Sequence, residues 1–308
     1  MSKSVIGNIS YTKNSETASA YRVMKIFSEL VKLRITIMVS LTTALGYILA
    51  SNSISYKIIF PVAGIFLLAC ASSALNQYQE RFSDALMQRT TLRPIPSGRI
   101  NANSVLLFSI LTLFTGIVLM FITTNFAAMF VGVYTFAWYN FVYTPLKKVS
   151  SFAIIPGSLV GALPPIAGWL AAGGELLDLK ILGFALYLFI WQIPHFWLLV
   201  MIYGKDYSTA GFPSLEKYFN REQIKRISFY WLVATVGVAL GLIFTGSLNF
   251  IITLAALILF SAWMIYNAVV FLMSDAENKI VRNTFIKINF YTLMLIILLS
   301  IDKLLFII

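Results

Sequence analysis

Long apolar stretches alternate with short polar ones along almost the whole chain. Nine stretches, at about 33–51, 57–76, 104–122, 125–144, 152–172, 180–203, 227–246, 249–272 and 287–307, are nearly free of charge. Each has the roughly 17–25 residues that a helix needs to cross a bilayer. The pattern therefore predicts nine transmembrane helices. Lys32 and Arg34 flank the first stretch, and Asp302 and Lys303 interrupt the last.

The polar positions carry a second message. With nine spans, the loops fall into two sets. The first set holds the N-terminal arm and the segments near 77–103, 145–151, 204–226 and 273–287, and it contains 20 of the 23 Lys and Arg residues. By the positive-inside rule these loops face the cytosol, and the C-terminus lies on the far side. The far-side links are very short, whereas the cytosolic links after the second and sixth spans run to about 25 residues. Loops of that length in a compact bundle usually serve a function.

Composition agrees with this reading. Of 308 residues, 59% are hydrophobic and 11% charged, with a mean hydropathy of +0.84. A soluble domain has about a quarter of its residues charged. The net charge of +11 would suit nucleic acid or a membrane surface. The apolar content decides for membrane lipid, and no nucleic-acid partner is expected. Residues 1–24 are polar and basic and read as a cytosolic arm, leaving 25–308 as one membrane domain. They lack the apolar core of a signal peptide and the clear arginine-rich, amphipathic pattern of a mitochondrial presequence, so a bacterial cytoplasmic (inner) membrane is expected. The single cysteine, Cys70, excludes an intrachain disulfide.

The candidate chemistry starts at the end of the second span, in "NQYQERFSDALMQRT". Asn76, Glu80 and Asp84 are spaced i, i+4, i+8. If the helix continues through them, each step turns only about 40°, so the three side chains form one stripe. Oxygen ligands in that order suit Mg²⁺, which takes one or two carboxylates and completes its shell with phosphate oxygens. The same spacing fits a helix end with solvated acids. Arg89, Arg93 and Arg99 follow, around the turn-forming "PIPSG". Guanidinium groups suit phosphate, although the positive-inside rule explains some arginines without any ligand. At the same end of the sixth span stand Lys205 and Asp206, the latter a second acid for a metal or simply a capping residue. His195, the sole histidine, lies about three turns deeper among Trp191, Phe196 and Trp197, as a metal, haem or acid–base group or as a packed side chain. Tyr139 and Tyr143 share a face at the end of the fourth span, before Lys147 and Lys148. They form an interfacial belt or the aromatic wall of a pocket. In the fifth span, Gly157 and Gly161 form a GxxxG pattern for close helix packing. Pro164 and Pro165 are expected to break or kink that helix.

Several of these strings occur together in one family. "NxxxExxxD", "ALMxRTxxRPxPSGR", "YTxLKK", "GxxxGAxPPxxGW", "WQxPHFWxL" and "DYxxAGxP" resemble the UbiA-type intramembrane prenyltransferases, from about Lys32 to Asp302. The "WQIPHFW" and "DYSTAGFP" strings resemble the protohaem IX farnesyltransferase (haem O synthase) branch in particular. The resemblance implies an all-α fold of nine transmembrane helices around a central cavity. It implies Mg²⁺ held by Asn76, Glu80, Asp84 and Asp206, and a prenyl diphosphate bound by Arg89, Arg93, Lys147 and Lys205. Tyr143, with Tyr139, would shelter an allylic cation. The implied reaction moves a farnesyl group from farnesyl diphosphate to a vinyl group of haem b, a substrate that His195 would contact at its iron or a propionate. Haem A synthase and terminal-oxidase assembly factors are the implied partners. Glu80 stands where the family usually has Asp, Ala210 stands where the wider superfamily has a second motif acid, and Leu33 replaces a common proline. Prenyl transfer to a quinone precursor is the alternative enzyme reading. A transporter is the alternative of another class, although the acids collect at one interface instead of the midplane.

Overall fold

The structure, a computed structural model, describes residues 21–307 except 52, 54 and 214, and only the backbone of 205–208. The fold is all-helical among the described residues, and nine helices are long and apolar enough to cross a bilayer. They are α1 (Leu33–Ala50), α2 (Tyr56–Leu86), α3 (Ala102–Thr123), α4 (Phe126–Leu146), α5 (Ile154–Ala171), α6 (Leu179–Gly204), α7 (Arg221–Thr245), α8 (Ile251–Met273) and α9 (Asn278–Ile307). The chain is an integral membrane protein. Residues 21–30 are also helical and lead into α1; of the arm expected at 1–24, residues 1–20 lie outside the described residues.

Local capping starts several of the helices. Asn101 accepts a bond from the Asn103 N–H at the start of α3. Asn125 caps α4 by accepting from Ala128 N at 2.9 Å, and its amide donates to Leu170 O at 2.6 Å, tying the start of α4 to the end of α5. At α7 an Asn220–Gln223 capping box satisfies two N–H groups reciprocally. Each cap removes unpaired backbone donors where chain meets membrane surface.

The helices form a ring. α1 packs on α2, α5 and α9; α4 packs on α5; α5 packs on α6; α6 packs on α7 and α9; α8 lies between α7 and α9, and α3 covers the outside of α2. Helix association in lipid relies on close backbone approach at small residues. The decisive glycines are Gly46 and Gly168. A methyl at Gly46 would strike the Pro165 carbonyl, and one at Gly168 would strike the Thr43 carbonyl, so α1 and α5 touch backbone to backbone. The GxxxG pair has another task. A methyl at Gly157 would meet the Tyr143 ring and one at Gly161 the Gln192 amide, so these glycines seat side chains of neighbouring helices.

α5 also differs from the break expected at its prolines. The helix runs through Pro164 and Pro165. Its discontinuity falls earlier, at Ser158, between the turns Ile154–Gly157 and Leu159–Ala171. The carbonyls freed by the two prolines belong to Val160 and Gly161, which line a cavity inside the bundle, a setting in which irregular membrane backbone is tolerated.

The last helix is held by polar pairs along its length. Lys287 Nζ donates to Asn267 Oδ1 at 2.5 Å, and the hydroxyls of Tyr291 and Ser261 lie 2.8 Å apart, both joining α9 to α8. Thr292 meets Tyr187 of α6 at 2.8 Å. Near the other end, Asp302 is fully buried and accepts from Asn249 N, Asn249 Nδ2, Phe250 N and Thr253 Oγ1. Its carboxylate thus caps the start of α8, where negative charge is favourable.

Candidate active site

α2 is 31 residues long, or about 46 Å at 1.5 Å per residue, against a hydrocarbon core of about 30 Å. Its last turns carry the stripe expected from the sequence. Asn76, Glu80 and Asp84 are only 1%, 4% and 0% exposed, so they point into the bundle. That burial excludes a helix end with solvated acids.

The stripe lines one wall of a cavity of about 420 Å³. α1, α2, α4, α5 and α6 supply its sides, and the connections near 87–93, 150–153 and 212–215 close it at one end. Toward the bundle interior its walls are apolar, with Val39, Ile65, Leu68, Phe136, Val160 and Leu199. At the connection end it is charged. Among the described residues, two carboxylates, Glu80 and Asp84, face four cations, Lys32, Arg89, Arg93 and Lys147.

Each stripe residue has its own partner. Arg93 NH1 lies 2.7 Å from Asp84 Oδ2, and Lys147 Nζ lies 2.6 Å from Glu80 Oε1. Lys32 Nζ donates to Asn76 Oδ1 at 2.8 Å, while the Asn76 amide donates to Thr144 Oγ1 at 3.3 Å. The loop after α2 is folded to deliver Arg93. Thr90 Oγ1 donates to the Asp84 carbonyl at 2.8 Å, Ser97 Oγ donates to the Arg93 carbonyl at 2.6 Å, and Gly98 turns the chain at φ +69°. That positive φ is the reason for a glycine. Arg99 does not reach the cavity. It binds the Leu92 carbonyl and Glu29, fastening the loop to the helical segment at 21–30.

The far wall is built by an irregular turn. Residues Trp138–Tyr143 of α4 form a π-helix, and Thr144 N bonds five residues back to the Tyr139 carbonyl. Pro145 follows. Its ring would collide with the carbonyl four residues earlier in a regular helix, and the wider turn relieves this. Tyr139 and Tyr143 both face the cavity with ring centroids 5.6 Å apart, and Lys147 Nζ lies 5.4 Å from the Tyr143 ring.

The residues fit a divalent ion with oxygen preference. Asp84 Oδ1 is buried without a hydrogen-bond partner, and Glu80 and Asn76 place further oxygens along the same stripe. Two carboxylates and an amide oxygen are the donor set of a cation that completes its shell with phosphate. A net positive mouth over an apolar chamber suits an anionic head on an apolar tail.

The candidates named from the sequence divide as follows. Asn76, Glu80, Asp84, Arg89, Arg93, Tyr139, Tyr143 and Lys147 meet at this cavity. Arg89 also stacks over Tyr203, 5.6 Å from its ring, so the ends of α2 and α6 are neighbours. The helix of α6 continues to Thr209 past a non-helical Tyr203, but the side chains of Lys205 and Asp206 lie outside the described residues. His195 does not line the cavity, although Gln192 and Phe196 on the same helix do. Its Nδ1 lies 2.9 Å from Asn289 Oδ1 of α9, with Trp191 and Phe285 rings against it at 4.8 and 4.7 Å. Lys32 is the residue that sequence reasoning passed over as a mere flank of α1. Burial, reinforced by the nearby Arg93 and Lys147 charges, pushes its ammonium down to about 7. The available signal was a lysine directly before the first span, in "LVKLR".

Comparison with known proteins gives this geometry a context. The model of the UbiA prenyltransferase family matches residues 39–291. The protoheme IX farnesyltransferase of Oleidesulfovibrio alaskensis is 38% identical over 186 residues, 60% of this chain and 66% of that protein. That of Solibacter usitatus is 33% identical over 80% of this chain and 88% of its own length. The Synechococcus sp. enzyme of the same name is 30% identical over 94% of this chain and 87% of its own. Among solved structures, one from work on digeranylgeranylglyceryl phosphate synthase superposes with a TM-score of 0.74 at 16% identity, covering 91% of this chain and 98% of that one. A UbiA homologue from Archaeoglobus fulgidus bound to GPP and Mg²⁺ gives 0.66 at 15% identity, covering 89% and 99%. The nine-helix ring, the stripe of α2 and the match across residues 39–291 place this chain in the UbiA prenyltransferase family.

Proposed function

We propose that the protein transfers a farnesyl group from farnesyl diphosphate to a vinyl group of haem b, forming haem O. The observation that carries this reading is the buried Asn76–Glu80–Asp84 stripe, ringed by cations, at the mouth of an apolar cavity. The farnesyltransferase relatives support haem b as acceptor, and the homologue bound to GPP and Mg²⁺ supports a prenyl diphosphate donor.

Asn76, Glu80 and Asp84, with Asp206, would hold Mg²⁺. The ion would supply Lewis-acid stabilisation of the negative charge that develops on the diphosphate. Arg89, Arg93, Lys147 and Lys205 bind the phosphate oxygens and neutralise the same charge, a contribution that is largest where water is excluded. The allylic carbon–oxygen bond breaks with its electron pair leaving on the diphosphate. Tyr139 and Tyr143 present aromatic faces to the allylic cation, and the apolar walls keep water from quenching it early. The vinyl group supplies the electrons of the new carbon–carbon bond. Water then adds at the remaining cationic carbon and loses a proton, leaving a hydroxyethylfarnesyl group. His195, held by Asn289, is assigned to the haem, which would reach it from the α6–α9 side. The basic loop end of the bundle, with the site, faces the cytosol of a bacterial inner membrane, and haem A synthase and oxidase assembly factors are the proposed partners.

The test is direct. Membranes containing the protein are incubated with haem b, farnesyl diphosphate and Mg²⁺, and the haems are separated by mass. A product heavier by a farnesyl group plus a hydroxyl supports the reading. Unchanged haem beside an active control enzyme refutes it.

A further inference from the structure

Below the charged stripe the cavity carries a few polar groups of another kind. Ser72 and Ser73 line it four and three residues before Asn76, about 5–6 Å further into the bundle. A serine or threonine inside a helix commonly turns its hydroxyl back to a carbonyl of the preceding turn. Two threonines that line the same cavity do so: Thr36 donates to the Val31 carbonyl and Thr135 to the Val131 carbonyl, each at 2.7 Å. The two serines do not. Ser72 Oγ only accepts, from Asn140 Nδ2 at 2.7 Å, and Ser73 makes no side-chain hydrogen bond among the described residues. Gln192 of α6 adds an acceptor. Its Nε2 donates to the Ser158 and Leu188 carbonyls at 2.8 and 3.0 Å, and its Oε1 takes no donor from the described residues. The amide occupies the space that a side chain at 161 would need, since a Cβ on Gly161 would lie 2.3 Å from Nε2.

The depth of these groups is set by their neighbours. Asn140, which holds Ser72, lies in the π-turn between Tyr139 and Tyr143. Gly161, which admits Gln192, lies one turn beyond Gly157, whose neighbour is the Tyr143 ring. Two hydroxyls and an amide oxygen thus stand about one turn below the charged end. An anion would need a cation there and an ammonium would need a carboxylate, whereas water takes two to four neutral partners. The reaction as read above has a use for one such water. Its walls keep bulk water from the allylic cation, yet it closes by adding a water to the former vinyl carbon. We propose that Ser72, Ser73 and Gln192 hold the water that ends the reaction. Its oxygen supplies the electron pair of the new carbon–oxygen bond, and the proton it loses passes to the released diphosphate. Without a water in place the same cation is neutralised by losing a proton from the adjacent carbon, which leaves an alkene lighter by one water. This inference rests on the haem O reading.

The experiment therefore reads a product ratio. Wild type, Ser72→Ala and Ser73→Ala are incubated with haem b, farnesyl diphosphate and Mg²⁺ in ¹⁸O-labelled water, and the hydroxylated and alkene haems are separated by mass. Ser73→Ala gives up no protein hydrogen bond, and in Ser72→Ala the Asn140 amide keeps the Phe136 carbonyl at 2.9 Å. The ratio of hydroxylated to alkene product is expected to fall about tenfold or more in both, because the water is no longer positioned. Gln192→Met should shift it the same way; that variant also loses its bonds to α5, so the serine variants decide if it does not fold. A lower total yield at the wild-type ratio would mean that the serines only shape the chamber, and overturns the proposal. So does a hydroxyl without the label. Unchanged haem in the wild type refutes the reading beneath and the water seat with it, whereas a hydroxylated product whose ratio the variants leave alone refutes the seat by itself.

Discussion

Replacing Asp84 by Asn separates chemistry from architecture at one atom. The side chain keeps its volume and stays in a fully buried position, but loses the charge that faces Arg93 at 2.7 Å. A hydrogen bond to a charged group contributes about 1.5–3 kcal/mol to stability. The amide oxygen of Asn still accepts from the guanidinium, so roughly half of that is retained and the loss is about 1 kcal/mol. Arg93 is 25% exposed and can rehydrate, which limits the cost further. Turnover should respond on another scale. Removing one preorganised charge from a water-excluded site lowers kcat about 10²–10³-fold, or roughly 3–4 kcal/mol of barrier. Haem O formation by Asp84→Asn is therefore expected to fall at least about 100-fold while the detergent-solubilised protein unfolds within a few degrees of wild type. Haem analysis by mass and a thermal melt on the same preparation check both halves. Turnover within about threefold of wild type, with normal folding, would refute the role given to Asp84.

Other positions probe the scaffold. Gly168→Ala should lower thermal stability by about 1–3 kcal/mol through overpacking, because its methyl meets the Thr43 carbonyl, and a melt of the purified variant reports it. Gly157→Ala should displace the Tyr143 ring instead, cutting kcat by about tenfold or more with a smaller effect on unfolding. Asp302→Ala should destabilise by about 3–5 kcal/mol, since four donors lose a buried acceptor, while protein kept cold retains near-normal turnover per folded molecule. Arg99→Ala releases the loop from Glu29 and Leu92 and should raise the KM for farnesyl diphosphate through Arg93, without altering the acids.

How much the sequence disclosed depended on the range of the interaction. Hydropathy located every span because each helix must satisfy the bilayer by itself, and the i, i+4, i+8 stripe was legible because 3.6-residue periodicity is local. The ends of α2 and α9 were read too short, since charged turns such as those around Glu80 and Arg282 stay helical beyond the apolar run. Lys32 was missed because only tertiary packing brings it to Asn76, 44 positions away. The two kinds of glycine in α5 and α1 could not be sorted, since a glycine that admits a backbone and one that admits a ring look identical in sequence. The same holds for His195: its aromatic neighbours were visible, but the face it turns to α9 is set by Asn289, 94 positions later.

The ladder of polar pairs on α9 has a consequence for biogenesis. The ribosome delivers helices in order, and early ones begin to fold before late ones emerge. α9 is the last of them, yet it packs on α1, the first, as well as on α6. Until it arrives, the backbone donors at the start of α8 lack the Asp302 acceptor, and the flank between the first and sixth helices lies open to lipid. The order of synthesis thus separates two events: a nascent chain can already carry every charged group and every walling helix of the reaction chamber while the outer flank of α1 and α6 still awaits α9.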